Sequence, residues 1–198
     1  KKYKKKNFIT FFMPSPSMMD ETSQYKVIDF LENYCKNKNL SLYVKPHPGV
    51  NYSNLKKFKK MKKIKFIVPK EISMNLYKKI KNKIFIDYEL EKIIQESRVV
   101  INFHSTTSLD SIYYLTPVIN LSLSKKHSWL YKWPYYKYVL DYKAISIAKS
   151  YEDIKKYLNK YIKNPNYNKK NIKKLKKSYF GNKNPNSGKI MSKIINED

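Results

Sequence analysis

The stretch from residue 98 to residue 123 constrains the fold most, because a strand, a polar loop, a helix and a second strand follow one another there without interruption. Arg98–Phe103 and Pro117–Leu121 are short runs rich in β-branched residues, which is typical of strands buried on both faces of a parallel sheet. Between them, apolar side chains such as Leu109 and Ile112 recur at helical spacing. This order predicts two parallel strands joined by a helix.

The same alternation continues through most of the chain and predicts a Rossmann-like α/β fold, a parallel sheet with helices on both faces. The other predicted strands are Asn7–Phe12, Leu40–Val44, Ile64–Val68, Lys83–Asp87 and Ala144–Ile147. The predicted helices are Tyr25–Lys36, Tyr88–Gln95, Ser150–Ile162 and Lys189–Asn196, with a weak helix or turn region at Met74–Lys83 and a weaker helical pattern at Asn164–Lys177. We assign residues 1–6 to a linker tail, 7–163 to the Rossmann-like domain and 164–198 to a C-terminal helical extension.

Length and residue usage limit the class of protein. With 198 residues, of which 41% are hydrophobic, the chain can form one large domain with a core, with or without an appendage. Because it begins with lysine, we expect it to be a piece of a longer polypeptide. It has neither the roughly 18 consecutive apolar residues of a membrane span nor a signal-peptide pattern. The single cysteine, Cys35, is predicted to be a buried helix residue in a reducing compartment, so we expect a cytoplasmic location, with association at the inner membrane face left open.

The net charge of +27 raises the question of nucleic-acid binding, but the type of cation argues against it. Of the 42 basic residues only Arg98 is an arginine, and readers of base edges and phosphates favour arginine for its planar, bidentate geometry. We therefore predict no nucleic-acid partner and place most lysines on solvated faces. A positive surface would still attract anionic lipid or steer an anionic substrate.

The loop between the strand and the helix at residues 104–108 is His-Ser-Thr-Thr-Ser, five consecutive side chains that can form hydrogen bonds. In an open α/β sheet, ligands bind outside the carboxyl ends of the strands. The first turn of the following helix also offers unpaired N–H groups to an anion. The alternative is that Ser105 or Thr106 is only the helix N-cap.

A second candidate corner follows another predicted strand, at Lys45-Pro46-His47-Pro48-Gly49. The two prolines restrict the backbone on both sides of His47. An imidazole held in this way beside a lysine is suited to donate a hydrogen bond to an anionic leaving group or a hydroxyl. The alternative is a histidine with a structural role only.

Two further segments have open interpretations. Met13–Ser23 is a loop at the carboxyl end of the first strand, and it is either a lip of the ligand crevice, with Ser15 or Ser17 facing phosphate, or an ordinary surface loop. Ser124–Tyr136 is aromatic and basic without a regular period. It is predicted either to line or cap a pocket as a loop, or to cover the edge of the sheet.

Taken together, the order of these motifs resembles the C-terminal, nucleotide-binding half of GT-B glycosyltransferases that build bacterial surface polysaccharides. The most similar families are the capsule polysaccharide synthesis proteins and the CDP-glycerol glycerophosphotransferases, and the UDP-N-acetylglucosamine 2-epimerases share the same half-fold. The resemblance covers roughly Asn7 to Asn196, but its specificity rests on two short motifs, Lys45–Gly49 and Ser105–Pro117.

The resemblance implies roles for individual residues. His47 would contact the phosphate or leaving group of the donor and serve in catalysis, and Ser105, Thr106 and Thr107 would hold donor phosphate. Asp110 would reach the ribose hydroxyls, where the related families often have the longer glutamate. Stabilisation of the charge on the departing nucleotide would come from these groups and from a lysine, Lys45 or Lys126. There is no Asp-x-Asp pair, so neither a metal nor a cofactor is predicted, and the activated donor is the substrate.

The implied partners are a nucleotide-activated donor, a glycan acceptor, and an N-terminal GT-B half or partner chain. GT-B enzymes place the acceptor site, and commonly the catalytic base, on that other half, so no general base is assigned here. Three alternatives to a glycosyltransferase stay open: a sugar-nucleotide epimerase of the UDP-N-acetylglucosamine 2-epimerase type, a CDP-glycerol glycerophosphotransferase, and a polyanion-binding protein without enzymatic activity.

Overall fold

A computed structural model describes residues 5–61, 63–69, 85–123, 131–132 and 134–181. Within these ranges seven strands form one sheet in which every neighbouring pair is parallel. The strands are β1 (Phe8–Phe12), β2 (Ser41–Lys45), β3 (Ile64–Ile67), β4 (Phe85–Ile86), β5 (Val100–Asn102), β6 (Val118–Leu121) and β7 (Ile145–Ala148). The predicted Rossmann-like α/β fold is confirmed.

Helices cover both faces of the sheet. They are α1 (Glu21–Asn37), α2 (Leu90–Glu96), α3 (Thr107–Tyr113), α4 (Pro134–Asp141), α5 (Tyr151–Lys163) and α6 (Lys169–Phe180), and a 3-10 helix spans Tyr52–Lys60. On one face, Leu31 of α1 and Leu158 of α5 pack into a core cluster with Phe11 of β1. On the other face, Ile93 of α2 packs with Phe8 and Phe12 of β1.

The strand order β4-β3-β2-β1-β5-β6-β7 places β1 at the centre of the sheet. From β1 the chain first builds outward on one side through β2, β3 and β4, and then returns to build the other side through β5, β6 and β7. The order therefore reverses between β1 and β5. In open α/β sheets the crevice at the carboxyl ends of the strands next to this switch point is the usual place for a ligand.

Several element boundaries differ from the prediction. Helix α1 begins at Glu21 rather than Tyr25, because the Asp20 side chain accepts a hydrogen bond from the Ser23 backbone N–H (2.9 Å) and caps the helix before its apolar stripe starts. Residues 134–136, predicted as part of a loop, form the first turn of α4, and Pro134 suits the first helical position. The helical patterns at 74–83 and 189–196 lie outside the described residues.

The described parts of the two segments that flank the predicted domain, 1–6 and 164–198, pack against it. Lys5 donates to the Thr116 hydroxyl (2.6 Å) just before β6, and Lys6 forms an ion pair with Glu96 of α2 (2.8 Å). At the other end, Ile172 and Leu175 of α6 are buried with Ile112 of α3. Within the described part of the chain, we find no helix with the length and apolar character needed to span a bilayer.

Candidate functional site

A cavity of about 230 Å³ lies at the switch point, where the carboxyl ends of β1, β2 and β5 meet. Its wall includes Ser15 from the loop after β1, His47 from the loop after β2, and Ser105 from the loop after β5. His104 lines it too. The two corners predicted from distant parts of the sequence therefore share one cavity, together with the first serine of the loop after β1.

His47 is half-buried, and the turn that follows β2 holds its ring. The Gly49 backbone N–H donates to His47 Nδ1 (3.1 Å), and the Val50 N–H donates to the His47 carbonyl (2.9 Å). A nitrogen that accepts a hydrogen bond carries no proton, so the neutral imidazole holds its proton on Nε2. Nε2 is thus the ring atom that can donate to a ligand in the cavity.

Gly49 permits this arrangement because it has no side chain. A Cβ at position 49 would lie 3.3 Å from His47 Nδ1 and 3.9 Å from Cδ of Pro16. The first distance is tighter than an ordinary van der Waals contact, so a larger residue would push against the imidazole. The glycine therefore lets the backbone approach the ring closely enough to form the bond to Nδ1.

The loop after β1 folds around its two serines. The hydroxyls of Ser15 and Ser17 are 2.8 Å apart, and the Ser15 carbonyl accepts hydrogen bonds from the backbone N–H groups of Met18 (2.9 Å) and Met19 (3.1 Å). Ser15 lines the cavity that contains His47, whereas Ser17 lines a second, adjoining cavity. Both serines therefore lie at the carboxyl end of β1, each in the wall of a cavity.

The three hydroxyl residues 105–107 occupy different places. Ser105 Oγ accepts from the Thr107 backbone N–H (3.2 Å) and from Thr107 Oγ1 (2.9 Å), so it does contribute to capping α3. Both bonds use the oxygen as acceptor, and the Ser105 O–H can therefore be donated into the cavity. Thr106 is exposed at the N-cap position, its side chain makes no capping bond, and it does not line the cavity.

Thr107 does not line the cavity itself, but through its bond to Ser105 it links the cavity wall to a network of buried polar groups. Asn102 Nδ2 donates to Thr107 Oγ1 (3.0 Å) and to Ser108 Oγ (3.0 Å), and Ser108 Oγ donates to Asn120 Oδ1 (3.0 Å). Asn120 in turn donates to the Tyr136 hydroxyl. The network thus fixes the loop after β5 to the end of β6 and to α4.

Neither asparagine of this hydrogen-bonded network was predicted from the sequence. Asn102 and Asn120 lie opposite each other in paired strands, and both side chains are fully buried. The available signal was the identical Val-Ile-Asn at 100–102 and 118–120, in which a polar residue interrupts a buried run. A buried amide needs partners, and the pattern therefore indicates a polar network at this end of the sheet.

Two further predicted donor-binding residues, Lys45 and Asp110, are not brought to the cavity wall. Lys45 ends β2, and burial lowers the pKa of its half-buried ammonium group. Asp110 lies on α3, where desolvation and then the charge of Glu91 on α2 raise the pKa of its carboxyl group. Neither side chain lines the cavity at His47. Lys126 lies outside the described residues, as does most of the aromatic segment 124–136.

The second cavity, of about 540 Å³, shares Met18 and Phe103 with the first and lies beyond them toward the starts of α1 and α5. Its wall combines apolar groups, such as Leu123 and Tyr151, with the polar side chains of Ser17, Asp20, Ser23 and Lys26. The Asp20 carboxylate is already engaged by Ser23, whose hydroxyl donates to it at 2.7 Å. In the described ranges, no three histidine, cysteine, aspartate or glutamate side chains are grouped so that they could hold a metal ion.

The fold and this crevice define the class of protein as a Rossmann-like α/β domain with adjoining cavities at its switch point. Comparison with models of protein families gives no match to the chain, and comparison with curated proteins gives no significant match.

Proposed function

We propose that this domain binds a nucleotide-activated sugar, or a sugar-like unit, as the donor-binding half of a GT-B-type glycosyltransferase of surface polysaccharide synthesis. One observation carries the proposal: the Pro-His-Pro corner and the hydroxyl-rich corner, which the sequence resemblance connects with the donor, share one cavity at the switch point of the sheet. The fold supports the proposal because this is where α/β sheets of this topology hold nucleotides.

The size of the crevice supports a ligand larger than a phosphate. The small cavity of about 230 Å³ and the adjoining one of about 540 Å³ together fall in the range of roughly 300–1,000 Å³ that small-molecule sites occupy. The small cavity offers hydrogen-bond donors from His47 and Ser105, which suit the oxygens of a diphosphate. The larger cavity has thioether and aromatic walls and suits a group attached to that diphosphate.

In this function, His47 and Ser105 stabilise the negative charge that develops on the leaving diphosphate. In glycosyl transfer an acceptor hydroxyl attacks the anomeric carbon and gives its proton to a base on the acceptor-binding half, the bond from that carbon to the diphosphate oxygen breaks, and the electron pair stays on the diphosphate. A hydrogen bond from His47 Nε2 strengthens as this charge develops, and the Ser105 O–H adds a second donor from another loop. The net charge of +27 attracts the anionic donor over a longer range.

Calorimetry with CMP, CDP, UDP and inorganic pyrophosphate tests the proposal on this chain. We expect the nucleoside diphosphates to bind more tightly than CMP and than pyrophosphate, because only they fill both cavities. His47→Ala removes a hydrogen bond to a charged group, which is worth about 1.5–3 kcal/mol, so the dissociation constant should rise by roughly tenfold or more.

The matched control is Lys155→Ala, which removes a charge from an exposed position on α5 and should leave the affinity unchanged. Equal losses in the two variants would reject the site. Binding that shows no preference among nucleotides and other polyanions would reject the donor-binding function in favour of a polyanion-binding protein.

A further inference from the structure

His104 has an unusual backbone conformation for its place in the fold. Among the described residues, four that are not glycine have a positive φ: Asn39 (51°), His104 (39°), Leu115 (57°) and Lys143 (51°). Asn39, Leu115 and Lys143 come directly after α1, α3 and α4, where a left-handed residue commonly ends a helix. His104 follows a strand, β5, so helix termination does not explain its conformation.

The His104 ring is held between two tyrosines. It stacks on Tyr136 with the ring centres 4.3 Å apart and the planes 27° from parallel, and it meets the edge of Tyr131 at 5.5 Å. Both tyrosines are anchored to β6, because the Tyr131 hydroxyl donates to the Leu121 carbonyl (2.6 Å) and the Tyr136 hydroxyl accepts from Asn120. The position of the imidazole is therefore fixed from three sides: by its backbone, by a ring face and by a ring edge.

The ring that is held in this way lines the ligand cavity. His104 is half-buried and shares the cavity wall with His47 and Ser105. Backbone conformations of this kind are costly and concentrate at binding and catalytic sites, where the surrounding structure maintains them.

We propose that His104 is a second imidazole ligand for the phosphate groups of the donor and binds the diphosphate together with His47. The inference rests on the proposed function and names the chemical class that both rings recognise, a diphosphate. The two imidazoles come from different strands, β2 and β5, and so approach the cavity from the two sides of β1. A diphosphate has two phosphate groups to present to two such donors, whereas a single phosphate has one.

The first test compares two variants of position 104 in the whole chain. His104→Phe keeps a ring that can stack on Tyr136 but removes both ring nitrogens, and we expect it to weaken the binding of pyrophosphate and CDP by roughly tenfold or more. His104→Asn keeps an N–H donor on a residue that tolerates a positive φ, and we expect it to restore part of the affinity. The thermal unfolding midpoint of each variant is measured beside its affinity.

The second test uses the unmodified chain. It contains three histidines, His47, His104 and His127, so its imidazole nitrogen NMR spectrum is simple to assign with the variants at positions 47 and 104. Pyrophosphate should shift the signals of both His47 and His104. A shift of the His47 signal alone would overturn the inference even where the variants at position 104 do not fold.

The outcomes separate this inference from the proposed function. Tight CDP binding by the unmodified chain, with the same affinity in His104→Phe, would overturn the role of His104 and leave the donor site standing. Loss of pyrophosphate binding in His104→Phe, without any preference for nucleoside diphosphates in the unmodified chain, would support the two-imidazole site and overturn the nucleotide donor. No binding of any of these anions would overturn both.

Discussion

At the scale of single residues, the site depends on two backbone features that hold imidazoles. His47 is oriented because the Gly49 N–H reaches its Nδ1, and His104 is oriented by a left-handed backbone between two tyrosines. Nδ1 of His47 accepts a backbone N–H and does not face a carboxylate, the usual partner of a catalytic histidine. The His47 ring is therefore suited to offer its Nε2 N–H to an anion rather than to act as a strong base.

Gly49→Ala should weaken ligand binding without lowering the stability of the fold. The new Cβ would lie 3.3 Å from His47 Nδ1 and push the ring out of position, so we expect the affinity for CDP to fall about three- to tenfold. The φ angle of Gly49 is not in the left-handed region, so alanine costs little backbone strain and reduces the entropy of the unfolded chain. The free energy of unfolding should accordingly stay the same or rise slightly in denaturant titrations.

Gly181→Ala is the matched control, since position 181 has a φ of 66° and open space around its Cβ. It should lose about 1 kcal/mol of stability and leave CDP binding unchanged. The opposite pattern, with binding lost at position 181 and kept at position 49, would contradict the role of Gly49.

At the scale of elements, the strands were predictable and the contacts between them were not. Runs such as Phe8–Phe12 and Val118–Leu121 are apolar and β-branched or aromatic, and burial on both faces leaves little other choice for them. The start of α1 was missed because its cap, Asp20, precedes the apolar stripe by several residues. Helix α4 was missed because its aromatic residues show no clear helical period in the sequence.

The position of each polar corner could be predicted as well as the strands could, because each corner follows a strand whose end is recognisable in the sequence. That Ser15, His47 and Ser105 line one cavity follows from the strand order, which a single sequence does not encode locally. The pairing of Asn102 with Asn120 depends on the register of two strands and so on three-dimensional structure. The sequence likewise contains no sign of the left-handed conformation of His104.

Lys5 lies at the amino end of the sheet, opposite the site, and its burial should make the free energy of unfolding depend on pH. Lys5, just before β1, donates to the hydroxyl of Thr116, just before β6. Burial lowers the pKa of the Lys5 ammonium group from 10.5 to about 8. The folded chain therefore releases this proton near pH 8, whereas the unfolded chain keeps it to about pH 10.5. Below pH 8 the buried charge lowers the free energy of unfolding by its full amount. This destabilisation decreases between pH 8 and pH 10.5 and is absent at higher pH.

Lys5→Met should consequently raise the free energy of unfolding at pH 7 by about 3 kcal/mol, because about 2.5 pKa units at roughly 1.4 kcal/mol each come to about 3.5 kcal/mol, less the lost hydrogen bond to Thr116. The Thr116 hydroxyl keeps its bond to the Ile94 carbonyl, so the substitution leaves it partnered. Urea titrations at pH 7 and at pH 10 check this, and the difference between variant and wild type should be mostly gone at the higher pH. Lys155→Met on α5 is the control. A difference in the free energy of unfolding between Lys5→Met and wild type that is equal at both pH values would contradict the burial of charge on Lys5.

At the scale of the whole molecule, most of the positive charge of the described residues lies outside the two cavities, whose walls contain one lysine, Lys26. Helix α6 carries six lysines and no acidic residue, and its two buried residues are the apolar Ile172 and Leu175. Between described residues the ion pair of Lys6 with Glu96 is the only one present. The six lysines of α6 thus have no carboxylate partner among the described residues and act as a field around the domain, while specific recognition is left mainly to the uncharged donors of the crevice.

This division predicts different salt dependences for two kinds of ligand. A polyanion such as DNA would bind the lysine field and release many counterions, so its affinity should fall steeply, by about a thousandfold or more, between roughly 50 and 200 mM salt. CDP in the crevice contacts few full charges, and its affinity should fall only a few-fold over the same range.

His47→Ala should weaken CDP binding and leave DNA binding unchanged, because His47 lies in the cavity and not among the surface lysines. Parallel salt titrations of CDP and a short DNA duplex, with and without His47→Ala, measure both effects. If CDP binding were as steep in salt as DNA binding and unaffected by the substitution, both ligands would be binding the same surface, and the crevice would not be the nucleotide site.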